Sequence, residues 1–164
     1  MLTTQAAGRV FDFSHVVGRG GGSGMGFSRA VSLALGAGDT VYVLNRGAEQ
    51  IKEVPWNRSY VGARVGKFTI GLVPGDEEFV TDIGHPGDGP GQFIWPAGLA
   101  LDSQENVYVT DEWLNRVSIF DKDGNFLRDW GTAGSGDGEF RAPSGIAIDP
   151  QDVLYIVDGR NHRV

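Results

Sequence analysis

There is no cysteine in this 164-residue chain, which excludes disulfides, thiol catalysis and thiolate metal sites without fixing the compartment. Histidine is scarce as well, at three residues. No apolar run approaches the ~18 residues of a membrane-spanning helix, and MLTTQAAGRVFDF at the N-terminus lacks the basic-then-apolar order of a secretory signal. Cytoplasm is therefore the default expectation, with no membrane contact. Positive charge is in deficit: 14 Lys and Arg against 21 Asp and Glu leave a net charge of −7, which opposes unspecific attraction to phosphate backbones and anionic lipid. Segments of helical period and length are missing too, so under ~5% helix is expected, well below the usual share.

What is present is repetition. PAGLALDSQENVYVTDEWLNRV begins at Pro96, and PSGIAIDPQDVLYIVDGRNHRV begins at Pro143, in register without a gap. Pro96 pairs with Pro143, Gly98 with Gly145, Asp102 with Asp149, Tyr108 with Tyr155, Asp111 with Asp158 and Arg116 with Arg163, a period of 47 residues. The same offset aligns GHPGDGPGQF (84–93) with GTAGSGDGEF (131–140). A looser copy opens with GRGGGSGMGF (18–27) and continues through VSLALGAGDTVYVLN. It precedes its successor by 66 residues, so it carries about 19 extra, which are most simply placed between Asn45 and Lys67.

The local signals within a unit are those of strands. Leu99 and Leu101 alternate with Gly98 and Ala100; NVYVT and VSIF are β-branched and aromatic; DSQEN, DEWLNR and DKDG are rich in turn formers. Glycine, at 26 residues, clusters between these segments as punctuation rather than forming a low-complexity tract. A four-stranded sheet repeated at this period is apolar on both faces and cannot bury them alone, which is the requirement met by stacked β-propeller blades. The chain is therefore expected to be all-β, with blades of four antiparallel strands. Small residues at Gly98, Ala100, Gly145 and Ala147 suit the crowded innermost strand, and Phe27, Phe93 and Phe140 suit plugs between neighbouring sheets.

GPGQFIWPAGLALDSQENVYVTDEWLNRVSIFD resembles an NHL repeat: a Gly-rich loop ending in Phe, a Pro-x-Gly-apolar-Ala-apolar-Asp strand, a Tyr-Val-x-Asp and an Asn-Arg-Val. The resemblance is strong over residues 84–164 and loose over 18–83. It implies six blades and a shared use as a binding platform, with no shared reaction. The expected segments are a lone outer strand at 9–17, blade one at 27–83 with an insertion at 46–66, blade two at 94–130 and an incomplete blade three at 141–164. That is about three blades of six, so a fragment of a longer ring is expected, with closure by a second copy as the alternative.

Repeated polar residues read first as structural, because a turn recurs in every blade whereas a catalytic group is needed once. Asp111 and Asp158 are expected to accept backbone N–H groups, and Arg116 and Arg163 to pair with carboxylates at a blade edge. DKDGN lacks the Gly and Glu of a calcium loop, having Phe126 and Thr132 there. GRGGGSGMG has neither the phosphate-loop Lys nor a following helix. Peptide-amidating lyases, similar to NHL proteins, place zinc-binding histidines after the innermost-strand Pro, and the matching positions here are Val31, Ala97 and Ser144. His15, His85 and His162 occupy three different repeat positions. Propeller lactonases need carboxylates around a central calcium, and Asp102 and Asp149 lie in turns instead. No catalytic residue, metal ligand or cofactor is therefore assigned within this chain. An enzyme reading would need a metal site in blades lying outside it.

The expectation is a non-catalytic platform whose partner is a protein or peptide. Carbohydrate or another small ligand is an alternative, RNA is disfavoured by charge, and self-association through open blade edges is also expected. One face gathers the loops between blades and the loops between second and third strands. It would carry Trp95, Trp113, Arg160, Asn161, His162, Arg19 and His85, together with Arg46, Trp56, Arg58, Tyr60 and Arg64 from the insertion. Aromatic residues and arginine are the side chains that most often dominate contact energetics.

Overall fold

A computed structural model describes residues 3–6, 9–12, 16–17, 27–47 and 62–164. β-strands dominate because β-branched and aromatic runs alternate with turn formers too closely for a helix to develop. Strands β1 (Thr3–Ala6) and β2 (Arg9–Asp12) pair antiparallel. Strands β3 (Ala30–Leu35), β4 (Thr40–Asn45), β5 (Arg64–Thr69) and β6 (Glu78–Ile83) form one four-stranded sheet in sequence order. A short parallel ladder of β7 (His85–Pro86) and β8 (Gln92–Phe93) leads to the next sheet. That sheet consists of β9 (Pro96–Leu101), β10 (Val107–Asp111), β11 (Arg116–Phe120) and β12 (Phe126–Trp130). The pattern restarts with a second ladder, β13 (Thr132–Ala133) with β14 (Glu139–Phe140), and the pair β15 (Pro143–Ile148) and β16 (Leu154–Asp158). A single 3-10 turn, Gly159–Asn161, follows.

The chain is thus all-β and forms part of a propeller, with β3 beside β9 and β9 beside β15 as successive innermost strands. Among the described residues two cores lie between the sheets. Tyr42, Leu44, Val65, Ile83 and Phe93 meet Leu99, Val107, Val109 and Phe120 in the first; Val117 and Ile119 meet Phe140 and Ile156 in the second. Phe93 and Phe140 plug these cores, Phe93 lying 5.7 Å from the Phe120 ring and Phe140 5.1 Å from Trp130. Gly98 faces β15 so closely that a methyl there would collide with the Ser144 carbonyl, which explains the small residue in the innermost strand.

Two expectations require correction. Arg9–Asp12 is not a solitary strand, because it pairs with Thr3–Ala6, and a hairpin satisfies backbone groups that a lone strand leaves open. The insertion does not occupy 46–66, since Arg64, Val65 and Gly66 belong to β5. Eighteen residues separate Asn45 from Arg64 where four separate Asp111 from Arg116, so 14 of the extra 19 lie in that loop. The other five lengthen the β5–β6 connection, because Val65 opposite Ile83 spans five more residues than Val117 opposite Trp130. The period-47 register alone showed the total but not its division.

On the edge opposite the β10–β11 loop, carboxylates staple one blade to the next. Glu105 Oε1 accepts the Ala37 N–H at 2.6 Å, and the equivalent Asp152 accepts the Ser103 N–H and hydroxyl at 2.8 and 2.6 Å. Pro150, at the repeat position of Ala37 and Ser103, has no N–H to offer. The repeated tyrosines show a related divergence. Tyr108 and Tyr155 donate to Asp102 and Asp149 at 3.0 and 3.1 Å, but Gly36 stands at the corresponding place in blade one. The Tyr42 hydroxyl is consequently buried without a hydrogen-bond partner among the described residues. Tyr42→Phe should therefore be neutral or stabilising by up to about 1 kcal/mol, while Tyr108→Phe should cost about 1–2 kcal/mol. Urea midpoints of the two variants check this, and a larger loss from Tyr42→Phe would mean that its hydroxyl has a partner after all.

Candidate functional site

Asp111 ends β10 with its side chain fully buried, and four backbone N–H groups converge on it. Oδ2 accepts from Ile94 at 2.9 Å and Trp95 at 3.0 Å; Oδ1 accepts from Trp113 at 3.0 Å and Leu114 at 2.9 Å. A single carboxylate therefore fixes two loops that each carry a tryptophan. Asp158 repeats the device at the end of β16, accepting the Arg141 N–H at 2.7 Å, the Asn161 amide at 2.8 Å and Arg163 Nε at 2.9 Å. Burial raises its carboxyl pKa, but these donors lower it by more, so it stays below the ordinary 3.8. In blade one the same position is Asn45, whose Oδ1 accepts from Ser28 and Arg29 at 3.0 and 2.9 Å. Its amide donates to the Gly62 carbonyl at 2.9 Å, because the longer loop returns with an acceptor where the short loops return with donors.

Arg116 and Arg163 do more than pair with carboxylates. Arg116 donates to the carbonyls of Asp88, Gly89 and Gln92 at 3.3, 2.7 and 3.0 Å and lies 3.1 Å from Asp129; Arg163 grips Ser135, Gly136 and Glu139 in the same way. Both arginines therefore clamp the Gly-rich loops between blades. This supports the structural reading of the repeated Asp and Arg.

Between the loops held by Asp111 and Asp158 lies a cavity of about 740 Å³. Its walls include Trp95, Glu112, Trp113, Phe140, Arg141 and Arg160, with Asn115, Ala133, Gly134 and Ala142 completing them. Trp113 is 70% exposed at the rim. Arg46 reinforces Trp95: its guanidinium lies 4.9 Å over the indole, Nε donates to the Pro96 carbonyl at 2.9 Å, and Nη2 stands 3.6 Å from Glu112. On the far wall Arg160 N–H donates to the Arg141 carbonyl at 3.0 Å, which sets two arginine backbones side by side. Ala142 holds the left-handed region at φ 53°, its N–H bonded to Asn115 Oδ1 at 2.9 Å. Such a conformation in a non-glycine residue is sustained only where its surroundings fix it.

Trp95, Trp113 and Arg160 thus share one cavity, with Arg46 behind Trp95. Asn161 is turned inward, donating to Gly134 and Asp158, and serves the turn. His162 is exposed at φ 55° and does not line the cavity; His85 hydrogen-bonds Gln92 at 2.9 Å within its loop. Arg64 stands at the loop end of β5 but is buried there, bonding Asp82 at 2.6 Å, so it is not an exposed contact residue. The reason is register, since Arg64 sits in blade one where Arg116 sits in blade two. Trp56, Arg58, Tyr60, Arg19 and His15 lie outside the described residues. Phe140 reads from sequence only as a plug, and Glu112, Arg141 and Ala142 carry no signal of their own there, although Arg141 and Ala142 occupy the repeat positions of Ile94 and Trp95.

The cavity offers aromatic surface, two guanidinium-bearing residues and one carboxylate already facing Arg46. Among the described residues no group of three or more His, Asp or Glu is placed to hold a metal ion, and no helix is long and apolar enough to cross a membrane. A family model described as a 6-bladed beta-propeller matches residues 101–164, from the end of β9 through β16. The chain is similar to such propellers over that stretch, which contains Trp113, Phe140, Arg141 and Arg160. No curated protein matches the chain.

Proposed function

We propose that this chain is a non-catalytic, NHL-type propeller module that serves as a platform for a protein or peptide partner, bound on the loop face between blades two and three. The observation that carries the reading is the cavity joining Trp95 and Trp113 to Arg160. These residues sit at loop positions that differ between the copies, whereas the residues that pack the blades repeat. Loops released from the duty of stacking can specialise. A cavity of about 740 Å³ also falls within the roughly 300–1,000 Å³ common for ligand pockets. The repeat pattern of Pro-x-Gly, Tyr-x-Val/Thr-Asp and an Arg-Val preceded within two residues by Asn supports the NHL assignment.

Peptides selected by display against the chain should lose affinity by about tenfold or more in Trp113→Ala and in Arg160→Ala. Gln104→Ala and Lys122→Ala, in turns at the opposite ends of the strands, should leave affinity within about twofold. If the opposite-end variants abolish binding while the Trp113 and Arg160 variants retain it, the assignment of the face is wrong.

A further inference from the structure

We infer that the cavity between blades two and three selects a peptide segment in which a bulky apolar side chain stands next to an acidic one. This rests on the platform reading and adds the chemistry of the occupant. The apolar half of the argument is the wall. Trp95, Trp113 and Phe140 present aromatic surface, and Trp95 is held rigid from behind by Arg46, so an aliphatic or aromatic side chain gains burial there without first ordering the pocket.

The acidic half follows from charge. Arg141 and Arg160 are exposed and brought together at one wall by the hydrogen bond between their backbones. The carboxylate across the cavity, Glu112, faces Arg46 at 3.6 Å and is offset by it. The local balance is therefore positive on a chain whose net charge is −7. Two exposed arginines lining one cavity supply planar guanidinium donors that match a carboxylate. An RNA strand would meet the same arginines, but its remaining phosphates would run across an acidic surface. A peptide places one or two negative charges and leaves the rest of the chain neutral.

The test uses the intact chain and labelled short peptides with a central Leu or Phe flanked by Asp/Glu, by Ser, or by Lys, read by fluorescence anisotropy. The acidic set should bind about tenfold more tightly than the Ser set, and the Lys set most weakly. The double variant Arg141→Glu/Arg160→Glu should invert that order, with circular dichroism confirming an unchanged fold. Replacing the central Leu or Phe by Ala should remove most of the affinity. Binding without preference between acidic and neutral flanks would overturn the inference while leaving the platform intact. Failure of every peptide to bind would overturn both. Equal competition by a small aromatic carboxylate, or by single-stranded RNA, would overturn the choice of a peptide as occupant.

Discussion

Asp111→Ala should lower stability by about 4 kcal/mol, a loss that few single substitutions outside a hydrophobic core produce. The expectation follows from the four N–H groups that the buried carboxylate accepts, from Ile94, Trp95, Trp113 and Leu114. Removing it leaves donors facing a void, and hydrogen bonds to a charged group contribute about 1.5–3 kcal/mol each before the loops relax toward water. Asp111→Asn should be intermediate, at about 2 kcal/mol, because one oxygen still serves one loop while an amide meets the donors of the other. The native Asn45 shows why the amide is suited only to blade one, where it meets the Gly62 carbonyl. Denaturant midpoints at unchanged m-value measure the cost. The same variants should weaken peptide binding, since both tryptophan loops hang on this carboxylate. An Asp111→Ala variant within about 1 kcal/mol of the parent would show that the loops are fixed by something else.

The propeller architecture was legible because stacking imposes the same demands on every blade. Phe93 and Phe140 must plug, Asp111 and Asp158 must hold loops, and Gly98 must let β15 approach, so the 47-residue register exposes all of them at once. The candidate site was legible only in part, because a site arises where the copies diverge and register says nothing about which divergences meet. Trp95, Trp113 and Arg160 could be placed on one face, but not in one cavity. Arg141 escaped notice because its counterpart Ile94 looks like ordinary packing. Arg64 misled for the opposite reason: the loop before it has a length that register could not divide, so a repeat arginine passed for an inserted one. The Asn45 substitution was visible as a letter, but its meaning depended on which backbone group the longer loop brings back. The inter-blade staples at Glu105 and Asp152 were hidden in segments that read simply as turns.

Gly98→Ala and Gly145→Ala, alike in sequence, should differ in effect by about 3 kcal/mol. At Gly98 the added methyl collides with the Ser144 carbonyl and lies 2.9 Å from Thr110 Oγ1, whose hydroxyl bonds both the Gly98 N–H and Ser144. Backbone on the facing strand cannot step aside without disturbing the packing of β9 on β15, so a cost of about 2–3 kcal/mol is expected. At Gly145 the nearest atom to the methyl is Val157 Cγ2 at 3.3 Å. There alanine restricts the unfolded chain and should be neutral or stabilising by about 0.5 kcal/mol. The difference reports what lies against each innermost strand. It also bears on self-association, because apolar side chains are exposed at both ends of the stack: Leu33 and Leu35 at 64% and 72%, Tyr155 and Val157 at 49% and 43%. Surfaces of this kind favour pairing with another sheet. Sedimentation of the parent should show association as concentration rises into the micromolar range, and Gly145→Ala should weaken it by crowding the joining face. In dilute solution the two alanine variants should separate fully in their denaturation midpoints. Equal costs under those conditions would place a neighbour against Gly145 as close as the one against Gly98, and the two ends of the stack would then not be open.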